Sequence, residues 1–240
     1  MKYDLIVLAH PKDYIKLQYG LNSCMEFLFP KPENIYVVSP SEICSDKIIH
    51  IFDEDAIPVK LDQINFRRQN WIYQQLIKLF QDFTENDFYL TVDADVIFNK
   101  RQNLFENEKP VFFISDRKQH HKPYFNFMDK WSGMERVVNY TFINDFMMFD
   151  KKICQEMLPD IDVFLDFANQ VFCDECVLSE FELYGNYVSW AYPEMYETKF
   201  TTTQLNGKNS QTPWTSDEIE SLITRNRISN LDLFTIHSWT

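Results

Sequence analysis

Two carboxylates separated by a single residue, Asp93 and Asp95, directly follow the apolar run Phe88-Tyr89-Leu90-Thr91-Val92. Alternate side chains of a strand point to the same face, so both carboxylates can face one ligand where the run ends. Carboxylate oxygens at the carboxyl end of a strand in an α/β sheet suit Mg2+ or Mn2+. A solvated Asp-x-Asp turn is the alternative, because turns are rich in aspartate. The elements around the pair must decide between a metal site and a turn.

Several classes of ligand are excluded by the rest of the composition. The four glycines, Gly20, Gly133, Gly185 and Gly207, are too far apart for a phosphate-cradling loop or a dinucleotide fingerprint. A formal net charge of −13 opposes broad attraction to nucleic acid or to anionic lipid. A bound diphosphate would therefore need a metal ion or a few local cations, and the aspartate pair could hold that metal.

Length and composition indicate an ordinary folded protein. The chain has 240 residues, of which 45% are hydrophobic, and we expect one domain over 1–240. We see no secretory signal and no stretch approaching the roughly 20 apolar residues of a spanning helix. We therefore expect a cytoplasmic protein without membrane insertion.

The five cysteines are odd in number and scattered, so we expect free thiols. Cys173 and Cys176 form one CxxC, but neither a second CxxC nor a nearby histidine pair completes a zinc site. A zinc or redox role stays open as a minor alternative.

Strands and helices alternate along the first part of the chain. The pattern predicts a strand over Leu5 to Ala9, a helix over Tyr14 to Phe29 and a second strand over Asn34 to Ser39. A long amphipathic helix over Phe66 to Phe83 then leads into the strand of the aspartate pair. This order predicts an α/β fold.

The second part continues in the same way. Strands are predicted over Val111 to Ser115 and Phe146 to Phe149, and a surface loop or lid over Thr198 to Pro213. Helices are predicted over Phe125 to Trp131, Asp162 to Val171, Cys176 to Tyr187 and Asp217 to Arg225, the last capped by Thr215 or Ser216.

The βαβ start, the Asp93-Ala94-Asp95 turn and the segment from Phe234 to Trp239 together resemble GT-A-type glycosyltransferases, above all a glycosyltransferase-like family of bacteria and large viruses. The resemblance runs from the first strand through His237. Its most specific pieces are the segments 71–78, 93–95, 146–150 and 179–187.

The resemblance implies a GT-A-like, Rossmann-like single domain with a mostly parallel central sheet flanked by helices. Residues 1–100 would form the nucleotide-binding half and residues 101–240 the acceptor-binding half. For a viral source, the expected location is the host cytoplasm.

The implied activity is metal-dependent transfer of a sugar from a nucleoside-diphosphate sugar to a glycan or another hydroxyl acceptor. Asp95 would bind the metal directly, Asp93 would reach the ribose or a metal-bound water, and His237 would complete the shell. A histidine packed beside Trp239 is the alternative for His237. The ion would be Mn2+ or Mg2+, with Mn2+ favoured if the imidazole binds, and we expect a UDP-sugar rather than a GDP-sugar.

An inverting transferase also needs a carboxylate that takes the proton of the acceptor hydroxyl. The family pattern favours Glu180, with Glu182 and Asp174 behind it. An acidic helix start that is favoured by the helix dipole is an equal alternative for each of them.

The remaining binding predictions concern the donor. Arg67, Arg68 and Lys12 could pair with its phosphates, although a solvated basic turn is equally open for the two arginines. Asn144 and Asp145 could contact sugar hydroxyls. The other predicted donor-binding residues are His10, Ser39, Gln75 and Ala94, of which His10 and Ser39 would lie near the base and ribose.

Two other functions fit parts of the pattern. Haloacid-dehalogenase-like phosphotransferases also place Asp-x-Asp after an apolar strand, and Asp93 would then be the nucleophile. The pair lies deep in the chain, however, and no convincing later Gly-Asp pair is present. A carbohydrate-binding protein that kept a transferase fold without turnover is the second alternative.

Overall fold

The computed structural model describes residues 1–65, 68–115, 121–171, 178–208 and 213–238. These residues form thirteen strands and seven α-helices. The strands are β1 Tyr3–Leu8, β2 Leu28–Phe29, β3 Ile35–Ser39, β4 Ile49–Phe52, β5 Phe88–Asp93, β6 Val96–Phe98, β7 Gln102–Asn103, β8 Phe105–Glu106, β9 Lys109–Ile114, β10 Phe146–Asp150, β11 Glu197–Phe200, β12 Thr203–Lys208 and β13 Leu233–Ser238. The helices are α1 Tyr14–Phe27, α2 Gln69–Phe80, α3 Lys122–Ser132, α4 Lys151–Met157, α5 Ile161–Val171, α6 Glu180–Ala191 and α7 Ser216–Arg227.

The central sheet has five strands in the order β10-β5-β1-β3-β4. Four of them run parallel, and β10 pairs antiparallel with β5 at one edge. Leu8 at the end of β1 is opposite Asp93 at the end of β5, so the carboxyl ends of these two strands lie level. The predicted α/β fold with a mostly parallel central sheet is confirmed.

Alternate side chains of each strand point to opposite faces of the sheet, so the core has two layers. Ile6 and Leu8 pack with the apolar faces of α2 and α6, whereas Leu5 and Val7 pack with α1 on the other side of the sheet. All six residues of β1 are buried, as expected for a parallel strand covered on both faces. Each such aliphatic side chain contributes about 1.5–3 kcal/mol of transfer free energy.

A smaller sheet in the order β12-β13-β6 lies beside the aspartate pair. Strand β6 begins one residue after Asp95, and β13 pairs with it antiparallel. Strand β12 pairs parallel with β13. The remaining strands form the sheet β11-β9-β8 and the short pair β2-β7.

Helix α1 lies directly against the turn that joins β5 to β6. A Cβ atom on Gly20 would stand 3.0 Å from the carbonyl oxygen of Val96 and 3.5 Å from that of Ala94. A side chain at this position would push the helix away from the backbone of the turn, so Gly20 allows the close approach.

The prediction of a surface loop or lid over Thr198 to Pro213 is wrong for most of these residues. Strands β11 and β12 occupy Glu197–Phe200 and Thr203–Lys208 instead. Both strands pair with partners distant in sequence, β11 with β9 and β12 with β13. Their polar side chains are largely exposed, so the local sequence carries no alternation that distinguishes them from a loop. Residues 209–212 lie outside the described residues.

Helix α6 begins at Glu180 rather than at Cys176, because the Ser179 hydroxyl caps it by accepting a hydrogen bond from the amide of Glu182. Thr215 caps α7 in the same way and forms a capping box with Glu218. The other predicted helices and strands are present, with ends shifted by a few residues. Phe66 of the predicted α2 lies outside the described residues.

Cys24, Cys44 and Cys154 are free thiols, as predicted. Cys173 and Cys176 lie outside the described residues. Among the helices of the described residues, none is long and apolar enough to cross a membrane.

Candidate functional site

The aspartate pair lies where β5 leaves the central sheet. Asp93 is the last residue of β5, Ala94 is buried, and Asp95 occupies the turn before β6. The Asp93 side chain is 38% exposed and that of Asp95 is 18% exposed. Both carboxylates therefore lie at the carboxyl edge of the sheet, where open α/β sheets bind their ligands.

Strand β13 brings His237 to this turn. The amide of Ile236 donates a hydrogen bond to the carbonyl of Asp95 at 2.9 Å. His237 Nδ1 lies 3.9 Å from Asp95 Oδ2. Asp95 and His237, two of the three residues predicted to bind the metal with Asp93, are thus neighbours, although they are distant in the chain.

Asp145 is a third carboxylate at the same place. It has a left-handed backbone with φ of 63°, and its carbonyl accepts a hydrogen bond of 3.0 Å from the amide of Asp93. Sequence reasoning expected a sugar contact for Asp145 and missed its place beside the pair. No spacing in the sequence points to it, because β10 joins the sheet from a distant part of the chain.

These acidic groups crowd one another. Burial raises the pKa of Asp95 to about 7, and the charge of Asp93 adds to the shift. Burial likewise raises the pKa of Asp145 to about 7, with Asp93 and Asp95 adding to it and His237 opposing it. Burial lowers the pKa of His237, although Asp145 and Asp93 work in the other direction. The cluster therefore resists carrying its full negative charge without a compensating cation.

Lys16 of α1 supplies part of the positive charge. Its ammonium is buried, donates to the carbonyl of Ile236 at 3.1 Å and lies 2.6 Å from Asp13 Oδ1. It stands 4.0 Å from Asp95 Oδ2. Lys16 thus joins α1, β13 and the Asp95 turn, a role that the sequence analysis missed.

Lys78 of α2 is a second buried cation beside the acidic cluster. Its buried ammonium lies 2.7 Å from Asp93 Oδ1 and 2.6 Å from Glu180 Oε1. Burial works to lower the pKa of Lys78, but Asp93 and Glu180 outweigh it and raise the pKa. The only signal in the sequence is a lysine among the buried positions of an amphipathic helix.

The three predicted catalytic acids have different surroundings. Glu180 is 4% exposed and paired with Lys78, and burial raises its pKa. Glu182 is fully buried, and it accepts hydrogen bonds from the Thr141 hydroxyl, from the amide of Phe142 and from the Asn186 amide group. These contacts fix the segment before β10 to α6. Asp174 lies outside the described residues.

The predicted donor-binding residues fall into two groups. Gln75 and Ala94 are buried, and the Gln75 side-chain oxygen accepts a hydrogen bond of 3.1 Å from the amide of Glu180. Lys12 and Arg68 are exposed, with the Arg68 guanidinium 4.7 Å from the centre of the Trp71 ring. Arg67 lies outside the described residues.

His10 and Ser39 line a cavity of about 250 Å³ between the ends of β1 and β3 and the helix α2. The Ser39 hydroxyl donates to the carbonyl of Ser41 at 2.7 Å and lies 3.0 Å from His50 Nε2. Asn70 and Gln74 of α2 also line the cavity, which the sequence analysis missed. Because β1 lies beside β5 in the sheet, this cavity is one strand away from Asp93.

The donor set suits a hard or borderline divalent cation by type and by charge, since it combines carboxylates of raised pKa with one imidazole. Within the part of the chain that the structure describes, no group of three or more His, Cys, Asp or Glu side chains is spaced so as to hold a metal ion. The donor types of the site therefore suit such an ion, whereas the distances between the described donors do not form a closed coordination shell.

The chain matches the profile of DUF6492, a family of unknown function, over residues 24–236. No protein with a curated functional description matches it. The crystal structure of an active-site mutant of LgtC overlaps 97% of this chain and 86% of that one, with 11% sequence identity and a TM-score of 0.49. At that identity and that score, the overlap is no evidence about activity.

Proposed function

We propose that this chain, which belongs to the DUF6492 family of unknown function, is a metal-dependent glycosyltransferase that uses a nucleoside-diphosphate sugar. The observation that carries the proposal is the meeting of Asp93, Asp95, Asp145 and His237 at the carboxyl end of β5. The sequence resemblance to GT-A-type enzymes supplies the reaction class.

Asp95 and His237 would hold the cation, with Asp93 and Asp145 contributing charge beside them. A bound Mn2+ or Mg2+ supplies Lewis-acid stabilisation of the charge that develops on the departing nucleoside diphosphate. The imidazole of His237 favours Mn2+ over Mg2+.

The cavity lined by His10 and Ser39 is the proposed place of the base and ribose. UDP is the proposed nucleotide because the sequence resemblance favours a UDP-sugar over a GDP-sugar, and the cavity of about 250 Å³ would hold its base. The Ser39 hydroxyl already donates to Ser41, and Asn70 and Gln74 are further polar side chains of the lining that could contact the base.

The phosphates would lie between this cavity and the acidic turn. Lys12 follows His10 on the 3-10 turn Pro11–Asp13, and its exposed ammonium can reach outward to an anion. Arg68 at the start of α2 is a second exposed cation. These two side chains would supplement the metal in a protein whose overall charge repels phosphate.

None of the predicted acids among the described residues is placed as a general base would need to be. A base must reach the proton of the acceptor hydroxyl, whereas Glu180 is buried against Lys78 and Glu182 is occupied by three donors. The predicted base roles of Glu180, Glu182 and Asp174 stay untested. The acceptor is proposed only as a glycan or another hydroxyl compound.

Isothermal titration with UDP, with Mn2+ and again after EDTA, tests the proposal. We expect binding that needs the metal, and a screen of nucleotide sugars should then reveal metal-dependent hydrolysis of at least one donor. GDP serves as the comparison nucleotide and should bind more weakly. Absence of binding to any nucleoside diphosphate would overturn the proposal and favour a carbohydrate-binding protein without turnover.

A further inference from the structure

Lys78 is a buried lysine whose single ammonium pairs with two carboxylates. Its ammonium contacts carboxylates of two different elements, Asp93 at the end of β5 and Glu180 at the start of α6. The face of the Phe181 ring lies 4.6 Å away on a third side. The ammonium is thus enclosed by partners from β5 and α6, and its stem belongs to α2.

A buried ion pair is weak evidence for stability, because desolvation of both charges offsets their attraction. Gln75 of α2 already ties the first residue of α6 to this helix through the amide of Glu180. The junction of the two helices therefore does not depend on Lys78 alone. What Lys78 adds is a fixed partner for Asp93, whose side chain is more than a third exposed even with this contact in place.

We propose that Lys78 is a positioning residue, which holds the Asp93 carboxylate in one orientation at the metal site and is itself held by Glu180. This inference rests on the proposed function and assigns Glu180 to the support of Asp93 rather than to proton transfer. The chain of contacts runs from α6 through Lys78 to the end of β5. Support of this kind around metal ligands sets both affinity and orientation.

The test is a double-mutant cycle on Mn2+-dependent UDP affinity. Lys78→Met should weaken that affinity about 10- to 100-fold. In an Asp93→Asn background the same change should have little further effect, because Lys78 acts through the carboxylate that has been removed. A merely structural role predicts the same fold-loss in both backgrounds, and that result would overturn the proposal.

Two further variants keep the test informative. If Lys78→Met does not fold because Glu180 is left buried without a partner, the paired change Lys78→Met with Glu180→Met removes both charges and should fold. It should show the same loss of affinity, and wild-type affinity would overturn the proposal. Lys152→Met is the matched control, because Lys152 pairs with Asp87 at 3.1 Å on the surface, away from the site.

The failure of the two proposals can be told apart. If wild-type protein binds no nucleoside diphosphate with Mn2+, the proposed function fails. The link between Lys78 and Asp93 can still be measured in metal-free protein, as a non-additive change of the melting temperature across the same cycle. Additive shifts there would overturn the positioning role independently.

Discussion

The carbonyl of Asp95 accepts a hydrogen bond of 2.9 Å from the amide of Ile236, so the acidic turn is attached to the strand that carries His237. Lys16 reinforces this attachment, because its ammonium donates to the carbonyl of Ile236 and stands 4.0 Å from Asp95 Oδ2. The position of the imidazole is therefore set by the backbone on one side and by a buried cation on the other.

Asp95→Asn should remove most metal-dependent UDP binding and leave the protein folded. We expect a loss of more than about tenfold in Mn2+ affinity, since an amide is a weaker ligand than a carboxylate. The metal-free variant should also melt at a higher temperature near pH 8, because one of the crowded charges is gone.

Calorimetric titration and thermal unfolding measure both effects of this change. Asp166→Asn, an exposed aspartate of α5, is the matched control and should change neither. Wild-type UDP affinity in Asp95→Asn would contradict the assignment of the metal site.

His237→Gln should change the preference between metals. The carboxamide replaces a borderline nitrogen ligand with a hard oxygen, which suits Mg2+ better than Mn2+. We expect Mn2+ affinity to fall about tenfold more than Mg2+ affinity. Parallel titrations with the two ions measure the ratio, and an equal loss for both would argue that the imidazole packs against the turn without binding.

The stability of the metal-free protein should fall as the pH rises from about 4 to about 7. Burial raises the pKa of Asp95 and Asp145 to about 7, so in this window the folded protein holds protons that the unfolded chain has released. The free energy of unfolding therefore decreases with pH there and levels off above the folded-state pKa.

Thermal unfolding between about pH 4 and about pH 8 measures this slope, which Asp95→Asn should flatten. Mn2+ competes with the same protons, so its affinity should rise across the upper part of the range. The same pH dependence of stability in wild-type protein and in Asp95→Asn would show that the pKa of Asp95 is not raised.

Gly185→Ala should destabilise the fold by about 1–3 kcal/mol. A Cβ atom there would stand 2.3 Å from the ring of Phe142, which is fully buried, so the surrounding core would have to shift. Gly20→Ala is the comparison, because its Cβ would meet a backbone oxygen at 3.0 Å, and we expect a smaller loss. Urea unfolding measures both, and a loss at Gly185 below about 0.5 kcal/mol would contradict the packing.

Periodicity made the central elements predictable. The apolar runs of β1 and β5 and the amphipathic pattern of α2 reflect burial that is visible within each segment. The structure places Asp95 and His237 3.9 Å apart, and their role as metal ligands stays a prediction. Strands β11 and β12 were not predictable, because their hydrogen-bond partners lie far away in sequence.

The partners of the charged residues at the site could not be predicted from the local sequence either. From its neighbours in the sequence, a lysine such as Lys16 or Lys78 is predicted to be a solvated side chain. Only the fold shows the carboxylates that surround it. Asp145 could not be placed either, since its proximity to Asp93 depends on the antiparallel pairing of β10.

The small sheet has a consequence for how the site opens and closes. Asp93 is anchored in the five-stranded sheet, whereas His237 depends on three strands, one of which, β6, has only three residues. Local opening of those strands would withdraw the imidazole and release the Asp95 turn, while Asp93 stays in the five-stranded sheet. The affinity for the cation would then depend on the fraction of molecules in which the three-stranded sheet is formed. Because the ion would bind only that form, amide hydrogen exchange along β13 should slow when the ion binds.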